Sequence, residues 1–501
     1  MNELFKKNIV GLHKMLVEKE ISAIELAGAF LNRIADKDKS VRAFVSVTEE
    51  EAKKSALAVD QKIAKGQFIG LLEGIPASVK DVLATAGTKT TASSNMLANY
   101  VPPYDATSVE KLGREGLVML GKTNCDAFAH GASTENSDFF QTHNPWDLDR
   151  IPGGSSGGAA ASVAGSMSVY ALGTDTGGSI RSPANYCGIV GIKPSYGRVS
   201  RHGLFAMTSS NDTVGVMAKN VEDCALVLGA MAGEDAKDAT TRRTKVPNYH
   251  EEIKKFNFKD KKIGIPKEYF GEGMHGGVRS AVEGAIAKME SLGAKIVPIS
   301  LPHTQYAVAI YYIVTPSEVS SNLARYDGIK YGYSVMSDLS RKDQIKDLLD
   351  VYTQSRKYGF GAEAKRRIMI GTYALSSGYH DAYYKKATAA RHLLADDFKT
   401  AFKSVDFIAT PVAPTLPCRL GEKVSDPLAL YLEDIYLAAV SLSGLPALSV
   451  PCGFARDGQG DTIDLPVGLQ LIGNYFDEST ILGAAYHYEQ SEEWRLRYPN
   501  I

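Results

Sequence analysis

The sequence predicts an α/β fold built as one large domain, and three observations support this class. The chain has 501 residues, which is enough for a large buried core. Hydrophobic residues make up 44% and charged residues 23%, as in folded water-soluble proteins and unlike collagen-like, disordered or coiled-coil chains. Short apolar segments that end in glycine-rich turns alternate with segments of helical periodicity, which is typical of strands joined by helices.

Residues 1–66 predict an N-terminal helical layer, in which Ser22 and Glu25 form a capping box ahead of an apolar helix face. From residue 67 to residue 300 the pattern changes to short apolar segments followed by glycine. The segments 117–120 and 169–172 predict buried strands. We therefore expect a helical layer that packs on an α/β core. This core, 67–300, contains the candidate catalytic residues.

A strand, a helix and a second strand are predicted at the end of this core. The segments 262–265 and 295–299 are apolar strands, and the residues between them show helical spacing until a glycine ends the helix. Residues 301–402 predict a mainly helical, tyrosine-rich excursion, and residues 403–501 supply further strands that complete the sheet. Because no linker or repeat separates these parts, a single domain over 1–501 fits better than several domains.

Charge and cysteine content argue against several classes of protein. Lys plus Arg number 56 and Asp plus Glu number 57, so the formal net charge is −1 and no global field attracts nucleic acid or anionic membrane. The five cysteines lie far apart, without the C-x-x-C pairs of zinc sites or the framework of disulfide-rich secreted domains. No apolar stretch resembles a signal peptide or a membrane span. We therefore expect a cytoplasmic protein with free thiols.

Three glycine-rich motifs compete as candidate sites. The first, 116–123, matches the phosphate-binding pattern G-x-x-x-x-G-K-[ST], which taken alone indicates nucleotide binding. A phosphate-binding loop follows its strand, however, whereas the Leu, Val, Met and Leu inside this motif form the strand itself. A strand that ends in a turn at Gly121 is the favoured interpretation, and a nucleotide-binding module is the alternative.

The second motif, 153–158, reads Gly-Gly-Ser-Ser-Gly-Gly and matches the nucleophile-elbow pattern G-x-S-x-G around Ser155. An elbow requires a strand directly before it, and a polar loop with a proline stands there instead. The small residues that follow predict a closely packed helix, which places Ser155 and Ser156 at a helix N-terminus. A functional serine and a helix-capping loop both remain open for this motif.

The third motif, 173–181, directly follows an apolar strand. Successive Thr176, Gly177 and Gly178 can turn their backbone N–H groups toward one point, as an oxyanion hole beside a nucleophilic Ser179 requires. A tight turn or an anion-binding turn is the alternative. The preceding strand gives this motif the context that the second motif lacks.

A serine nucleophile here needs a base other than histidine, because none of the ten histidines lies in a comparable glycine- and serine-rich setting. Lys80 ends a short apolar segment, where strand alternation can point its side chain inward. Burial lowers the pKa of a lysine from about 10.4 toward the working range, so that the neutral amine accepts a proton. A lysine at the end of a surface strand is the alternative.

Lys80, the loop around Ser155 and Ser179 after Asp-Thr-Gly-Gly, in this order, resemble the amidase signature family. The resemblance implies a large mixed β-sheet covered by helices and a Ser-cisSer-Lys catalytic set. In that set Ser179 is the nucleophile that forms the acyl-enzyme, Ser155 is the bridging serine and Lys80 is the base. The backbone around residues 176–178 then holds the oxyanion, and no metal is needed.

Further segments resemble the glutamine-hydrolysing members of this family, which work in tRNA-dependent amidotransferases. These segments are 127–136, 186–200, 365–372, 431–435 and 445–453. In such members one Arg binds the glutamine α-carboxylate and one Asp binds its α-ammonium, and the segments place these roles on Arg367 and Asp434. Arg366 is the adjacent competing cation. The chain departs from the usual pattern at His130, where methionine is common, and at 336–344, which looks like an insertion.

The resemblance also implies the partners. Glutamine is the substrate, amidotransferase subunits B and C complete a heterotrimer, and Glu-tRNA(Gln) is reached through the complex, without a membrane. This chain needs no cofactor of its own, whereas the complex uses ATP and Mg²⁺. A free-standing amidase that acts on small amides is the alternative, because the Ser-Ser-Lys set alone does not separate the two activities.

Overall fold

The computed structural model describes residues 3–423, 426, 428, 431–458 and 462–501. Within these residues, eleven strands form a single sheet and fifteen α-helices surround it. The strands are β1 (Phe44–Val47), β2 (Pro76–Lys80), β3 (Val118–Thr123), β4 (Tyr170–Asp175), β5 (Val190–Lys193), β6 (Thr213–Ala218), β7 (Lys262–Pro266), β8 (Lys295–Ile299), β9 (Phe407–Pro411), β10 (Ala447–Ala455) and β11 (Leu465–Ile472). The helices are α1 (Ile9–Val17), α2 (Ala23–Val41), α3 (Glu49–Ala64), α4 (Thr107–Arg114), α5 (Gly157–Ala164), α6 (Arg181–Cys187), α7 (Val221–Met231), α8 (Tyr249–Lys255), α9 (Gly276–Ser291), α10 (Ala307–Leu323), α11 (Leu348–Gly359), α12 (Ala362–Leu375), α13 (Lys386–Ala401), α14 (Ala438–Leu442) and α15 (Glu478–Gln490).

The sheet is mixed, with the strand order β1-β3-β2-β4-β6-β5-β10-β11-β9-β7-β8. The neighbours β3, β2 and β4 run parallel, as do β9, β7 and β8, while the pairs between these groups and the β1–β3 pair are antiparallel. Every residue of β2 to β6 is buried, which requires cover on both faces of the sheet. The predicted α/β class and the large mixed sheet are therefore confirmed.

The N-terminal layer contains one element that the helical prediction for 1–66 missed. The capping box is confirmed, because Ser22 Oγ accepts from the Glu25 N–H at 3.2 Å and the Glu25 carboxylate accepts from the Ser22 N–H at 2.9 Å. Between α2 and α3, however, the chain forms β1, which pairs antiparallel with β3 at the edge of the sheet. Its sequence, Phe-Val-Ser-Val, is rich in residues that favour strands.

The first glycine-rich motif contains the whole of β3 and the two residues before it, so a strand is confirmed there and its predicted end at Gly121 is wrong. β3 runs through Gly121 to Thr123. Glycine is required at this position because a Cβ would lie 2.2 Å from the Ser46 carbonyl oxygen of β1. Lys122 is buried, and its Nζ donates to the Leu83 carbonyl oxygen at 2.5 Å and to Thr85 Oγ1 at 2.9 Å. The motif thus offers no loop to a phosphate, and the nucleotide-binding alternative is not supported.

The later elements largely follow the prediction. The unit β7–α9–β8 forms as expected, and α9 buries Val278, Val282 and Met289 against the sheet. The excursion 301–402 contains α10 to α13, and the surface segment 336–344 lies between α10 and α11. β10 and β11 enter the middle of the sheet between β5 and β9. In the part of the chain that the structure describes, no helix is both long and apolar enough to cross a bilayer.

Candidate active site

Lys80 lies where the carboxyl ends of the parallel strands β2 and β4 meet, which is the edge of an α/β sheet that commonly binds ligands. Its side chain is buried, as expected from the sequence, and the residue is 0% exposed, although all the other residues of β2 are buried as well. Lys80 Nζ lies 2.8 Å from each of three hydroxyl oxygens, those of Ser155, Ser156 and Thr174. The amine is therefore surrounded by groups with which it can exchange a proton.

Burial lowers the pKa of Lys80 from its usual 10.5 to about 8, although nearby Cys125, Asp126, Asp175 and Asp212 act in the opposite direction. As an ammonium, Lys80 donates to all three hydroxyl oxygens. As a neutral amine it donates two hydrogens and keeps a lone pair that accepts from a hydroxyl. Lys80 can therefore act as a base at a pH close to neutral.

The second glycine-rich motif forms the loop that places Ser155 beside Lys80. The peptide bond between Gly154 and Ser155 is cis. Thr134 Oγ1 donates to the Gly153 carbonyl oxygen at 2.8 Å and accepts from the Gly157 N–H at 3.0 Å, which holds this loop at both ends. Ser156 occupies the N-cap position of α5, yet its side chain makes no capping bond. The helix-capping alternative for this motif is therefore wrong.

The third glycine-rich motif forms the loop from β4 to α6, and it adjoins the second. The Ser156 N–H donates to the Ser179 carbonyl oxygen at 3.1 Å, so the two serine loops are in direct contact. The Gly178 N–H donates to Asp175 Oδ1 at 2.9 Å, which corrects the prediction that this group is free to bind an oxyanion. No acceptor among the described residues takes the N–H of Thr176, Gly177 or Ser179, so these three donors remain available.

Asp175 and Arg181 form a buried ion pair that fixes the Ser179 loop, a role that no sequence pattern indicates for either residue. Although burial acts against it, the Arg181 guanidinium holds the pKa of Asp175 below its usual value. Arg181 Nη2 donates to Asp175 Oδ1 at 2.9 Å, while Nη1 donates to Gln470 Oε1 of β11 at 2.6 Å. A further bond of 2.8 Å joins Arg181 Nη2 to Ser441 Oγ of α14. The loop is thus anchored to the C-terminal part of the sheet.

Arg367 lies on α12 with its guanidinium buried, whereas the side chain of Arg366 is 42% exposed. Arg367 Nε donates to Glu363 Oε1 at 2.8 Å, and its charge centre lies 5.6 Å from the ring centre of Tyr312 and 5.7 Å from that of Tyr431. Its Nη1 has no hydrogen-bond partner among the residues that the structure describes. Arg367 therefore keeps an unused donor inside the protein, and Arg366 does not.

Asp434 lies near Arg367, at the end of a short 3₁₀ turn, and it is buried. Burial and the neighbouring Asp175 raise the pKa of Asp434 well above its ordinary value, while Arg367 acts to lower it. Within the described ranges, no side chain or backbone group donates to its carboxylate. The structure thus brings together a cation with a free donor and a carboxyl group without a donor, as recognition of a zwitterion requires.

Tyr311 of α10 connects this charged end with the serine loops, and the sequence singled it out only as part of a tyrosine-rich region. Its hydroxyl packs on Gly177, where a Cβ would lie 2.6 Å from Tyr311 Oη. Burial raises the pKa of Tyr311, and both Arg367 and Asp434 lie close enough to influence it. The charged pair and the candidate oxyanion donors therefore belong to one site.

The placement of the His, Cys, Asp and Glu side chains bears on metal binding, and the burial of the cysteines bears on their reactivity. Among the residues described by the structure, no group of three or more His, Cys, Asp or Glu side chains is placed to hold a metal ion. All five cysteines are free and buried. Burial raises the pKa of Cys125, a thiol that interacts electrostatically with Lys80, to about 12, so it stays protonated and unreactive.

Comparison with known proteins identifies the family. The family model described as Amidase matches residues 25–482. Among glutamyl-tRNA(Gln) amidotransferase A subunits, that of Moorella thermoacetica is 53% identical over 499 residues, which cover 100% of this chain and 99% of that protein. The crystal structure of the corresponding protein from Thermotoga maritima is 37% identical, with a TM-score of 0.79 over 99% of this chain and 96% of that chain.

A solved amidase is less similar in sequence over a comparable length. The peptide amidase from Stenotrophomonas maltophilia is 28% identical, with a TM-score of 0.79 over 99% of this chain and 98% of that chain. The fold is thus shared, while sequence identity is higher with the amidotransferase subunits. The chain therefore belongs to the amidase signature family and, within it, to the group of glutamyl-tRNA(Gln) amidotransferase A subunits.

Proposed function

We propose that the chain is the glutaminase subunit of a glutamyl-tRNA(Gln) amidotransferase, in which it hydrolyses glutamine and supplies ammonia for the conversion of Glu-tRNA(Gln) to Gln-tRNA(Gln). The observation that carries the proposal is the buried Lys80 with its Nζ 2.8 Å from Ser155 Oγ, next to the loop of Ser179. Identity of about half over the whole length supports this function over that of a free-standing amidase.

The chemistry begins with a proton relay. Neutral Lys80 takes a proton from the Ser155 hydroxyl, which takes one from Ser179, and Ser179 Oγ attacks the side-chain amide carbon of glutamine. The N–H groups of Thr176, Gly177 and Ser179 stabilise the resulting oxyanion, by roughly 3 to 4 kcal/mol for each well-placed donor. The relay then returns the proton to the leaving nitrogen, and ammonia departs. Water hydrolyses the acyl-enzyme by the same relay and releases glutamate.

The charged end of the site selects glutamine. Arg367 binds the α-carboxylate through its free Nη1, and Asp434 binds the α-ammonium, whose positive charge favours the ionised carboxylate. When a simple amide binds, Arg367 and Asp434 stay buried without a partner. Leaving these charged groups unpaired costs free energy, so a simple amide binds less tightly than glutamine. Two opposite fixed charges therefore distinguish the amino acid from neutral amides.

The names of the relatives are those of one subunit of a larger enzyme, which supports a multi-subunit complex. We infer that subunits B and C are the partners, that the complex binds Glu-tRNA(Gln), and that ATP and Mg²⁺ are used outside this chain. Because tRNA-dependent synthesis of Gln-tRNA(Gln) serves translation, the cytoplasm is the expected location.

The test is ammonia release from glutamine by the purified chain alone and after addition of subunits B and C, Glu-tRNA(Gln), ATP and Mg²⁺. We expect the full mixture to stimulate release and to form Gln-tRNA(Gln). If the chain hydrolyses simple amides well, ignores glutamine and gains nothing from the mixture, it is a free-standing amidase.

A further inference from the structure

His130 presents two buried polar atoms that nothing in the described part of the protein satisfies. The residue is 0% exposed, and neither ring nitrogen has a hydrogen-bond partner among the described residues. A buried group of this kind ordinarily has a partner, since leaving it unpaired costs about 1 to 3 kcal/mol. The ring therefore points to a ligand that supplies the missing bond.

His130 lies on a chain segment that contacts the active-site loop. It follows the 3₁₀ turn Ala127–Ala129, and its backbone N–H donates to the Ala127 carbonyl oxygen at 3.0 Å. Four residues later on the same segment, Thr134 bonds the loop that carries Ser155. The ring of Phe128 lies 6.3 Å from the imidazole, centre to centre. The imidazole is thus held on the segment that fixes the Ser155 loop.

Ala129, the residue before His130, packs in one apolar cluster with Ala364 of α12, the helix that carries Arg367. Burial, and then the Arg367 guanidinium, lower the pKa of His130 well below 6.5, so the imidazole stays neutral. A neutral imidazole has one N–H donor and one acceptor nitrogen. Arg367 itself keeps Nη1 free, since its Nε is taken by Glu363. Two neighbouring residues therefore hold unused donors, of which only one carries a charge.

We propose that His130 is a second binding residue for the substrate α-carboxylate, with Arg367 Nη1 donating to one carboxylate oxygen and the ring N–H of His130 donating to the other. A carboxylate offers two oxygens with several lone pairs, so it satisfies both donors at once. A neutral second donor also avoids the repulsion between two adjacent buried cations. The inference rests on the proposed function, because it names a further residue of the glutamine site.

The experiment compares His130→Met with the wild type in the assembled complex. Methionine fills a similar volume and has no ring nitrogen. The two substrates are glutamine and 4-aminobutanamide, which is glutamine without its α-carboxylate. We expect His130→Met to raise KM for glutamine about tenfold with little change in kcat, and to leave kcat/KM for 4-aminobutanamide unchanged. His130→Gln, which keeps a donor, should recover part of the loss.

Thermal unfolding of each variant checks the fold, and His130→Leu replaces His130→Met if methionine disturbs it. An unchanged KM for glutamine overturns the inference, and so does an equal loss with both substrates, which would mark His130 as a packing residue. A different result would overturn the proposed function, namely that the wild-type complex does not hydrolyse glutamine at all.

Discussion

The rate of glutamine hydrolysis should depend on pH through Lys80. Burial lowers the pKa of this lysine to about 8 from 10.5. About one-tenth of the molecules therefore carry the neutral amine at pH 7, against about three in ten thousand for a lysine of ordinary pKa. The buried position thus increases the population of the active base about 300-fold at neutral pH. Because the neutral form accepts the proton, activity is lost as pH falls below the pKa.

The assay is ammonia release at pH values from 6 to 9, with the complete complex and with glutaramate as substrate. Glutaramate is glutamine without its α-amino group, so it carries no group that titrates in this range. We expect kcat/KM to rise about 50-fold between pH 6 and pH 8 and less than twofold between pH 8 and pH 9. A constant rate from pH 6 upward, or a midpoint near 6.5 as for an imidazole base, would refute the reasoning.

Lys122 offers a matched control, because it is also fully buried and its pKa is also lowered by burial to about 8. Its Nζ donates to the Leu83 carbonyl oxygen and to Thr85, and it bonds neither serine of the site. Lys122→Met should therefore keep the midpoint of the pH profile, whatever it does to the amount of folded protein. Lys80→Met should abolish hydrolysis at every pH.

Three further substitutions test other parts of the site, and a fourth tests the sheet. Ser179→Ala should lower ammonia release at least about a thousandfold with unchanged thermal unfolding, and activity near the wild-type level would exclude this nucleophile. Arg367→Ala should raise KM for glutamine about 10- to 100-fold, whereas the matched change Arg366→Ala should not, as steady-state kinetics will show. Gly177→Ala adds a methyl group that meets Tyr311 Oη at 2.6 Å, so kcat should fall about a hundredfold with KM little changed. Gly121→Ala should lower the unfolding temperature, because the added Cβ would lie 2.2 Å from a backbone oxygen of β1. A thermal unfolding transition at the wild-type temperature would contradict that packing.

The residues of the serine loops could be predicted because each lies in a short contiguous motif whose composition reflects its geometry. The order Lys80, Ser155, Ser179 was enough to indicate the family, whereas alternation does not explain the burial of Lys80, since all five residues of β2 are buried. The choice between Arg366 and Arg367 could not be made from spacing, because it depends on which side of α12 faces the protein interior. Glu363 pairs with both arginines, so only burial separates them.

Other features depend on contacts that no local pattern encodes. The Gly178 N–H is unavailable because the Asp175 carboxylate folds back to accept it, and the sequence shows only that both residues lie in one turn. β1 is a four-residue strand whose partner lies far along the chain, and the residues on both sides of it are helical, so local periodicity predicts helix there. Tyr311 acts through its contact with Gly177, which requires the packing of α10 on the β4–α6 loop.

The hydrogen bond from Arg181 to Gln470 joins parts of the chain that the ribosome makes at different times. The two residues are separated by 289 positions, and the ribosome makes the earlier one first. A nascent chain that ends before β11 already carries the lysine and both serines, yet its nucleophile loop still lacks this anchor. We therefore expect unfinished or C-terminally truncated chains to release no ammonia, so that glutamine is consumed only by chains whose last strands have entered the sheet.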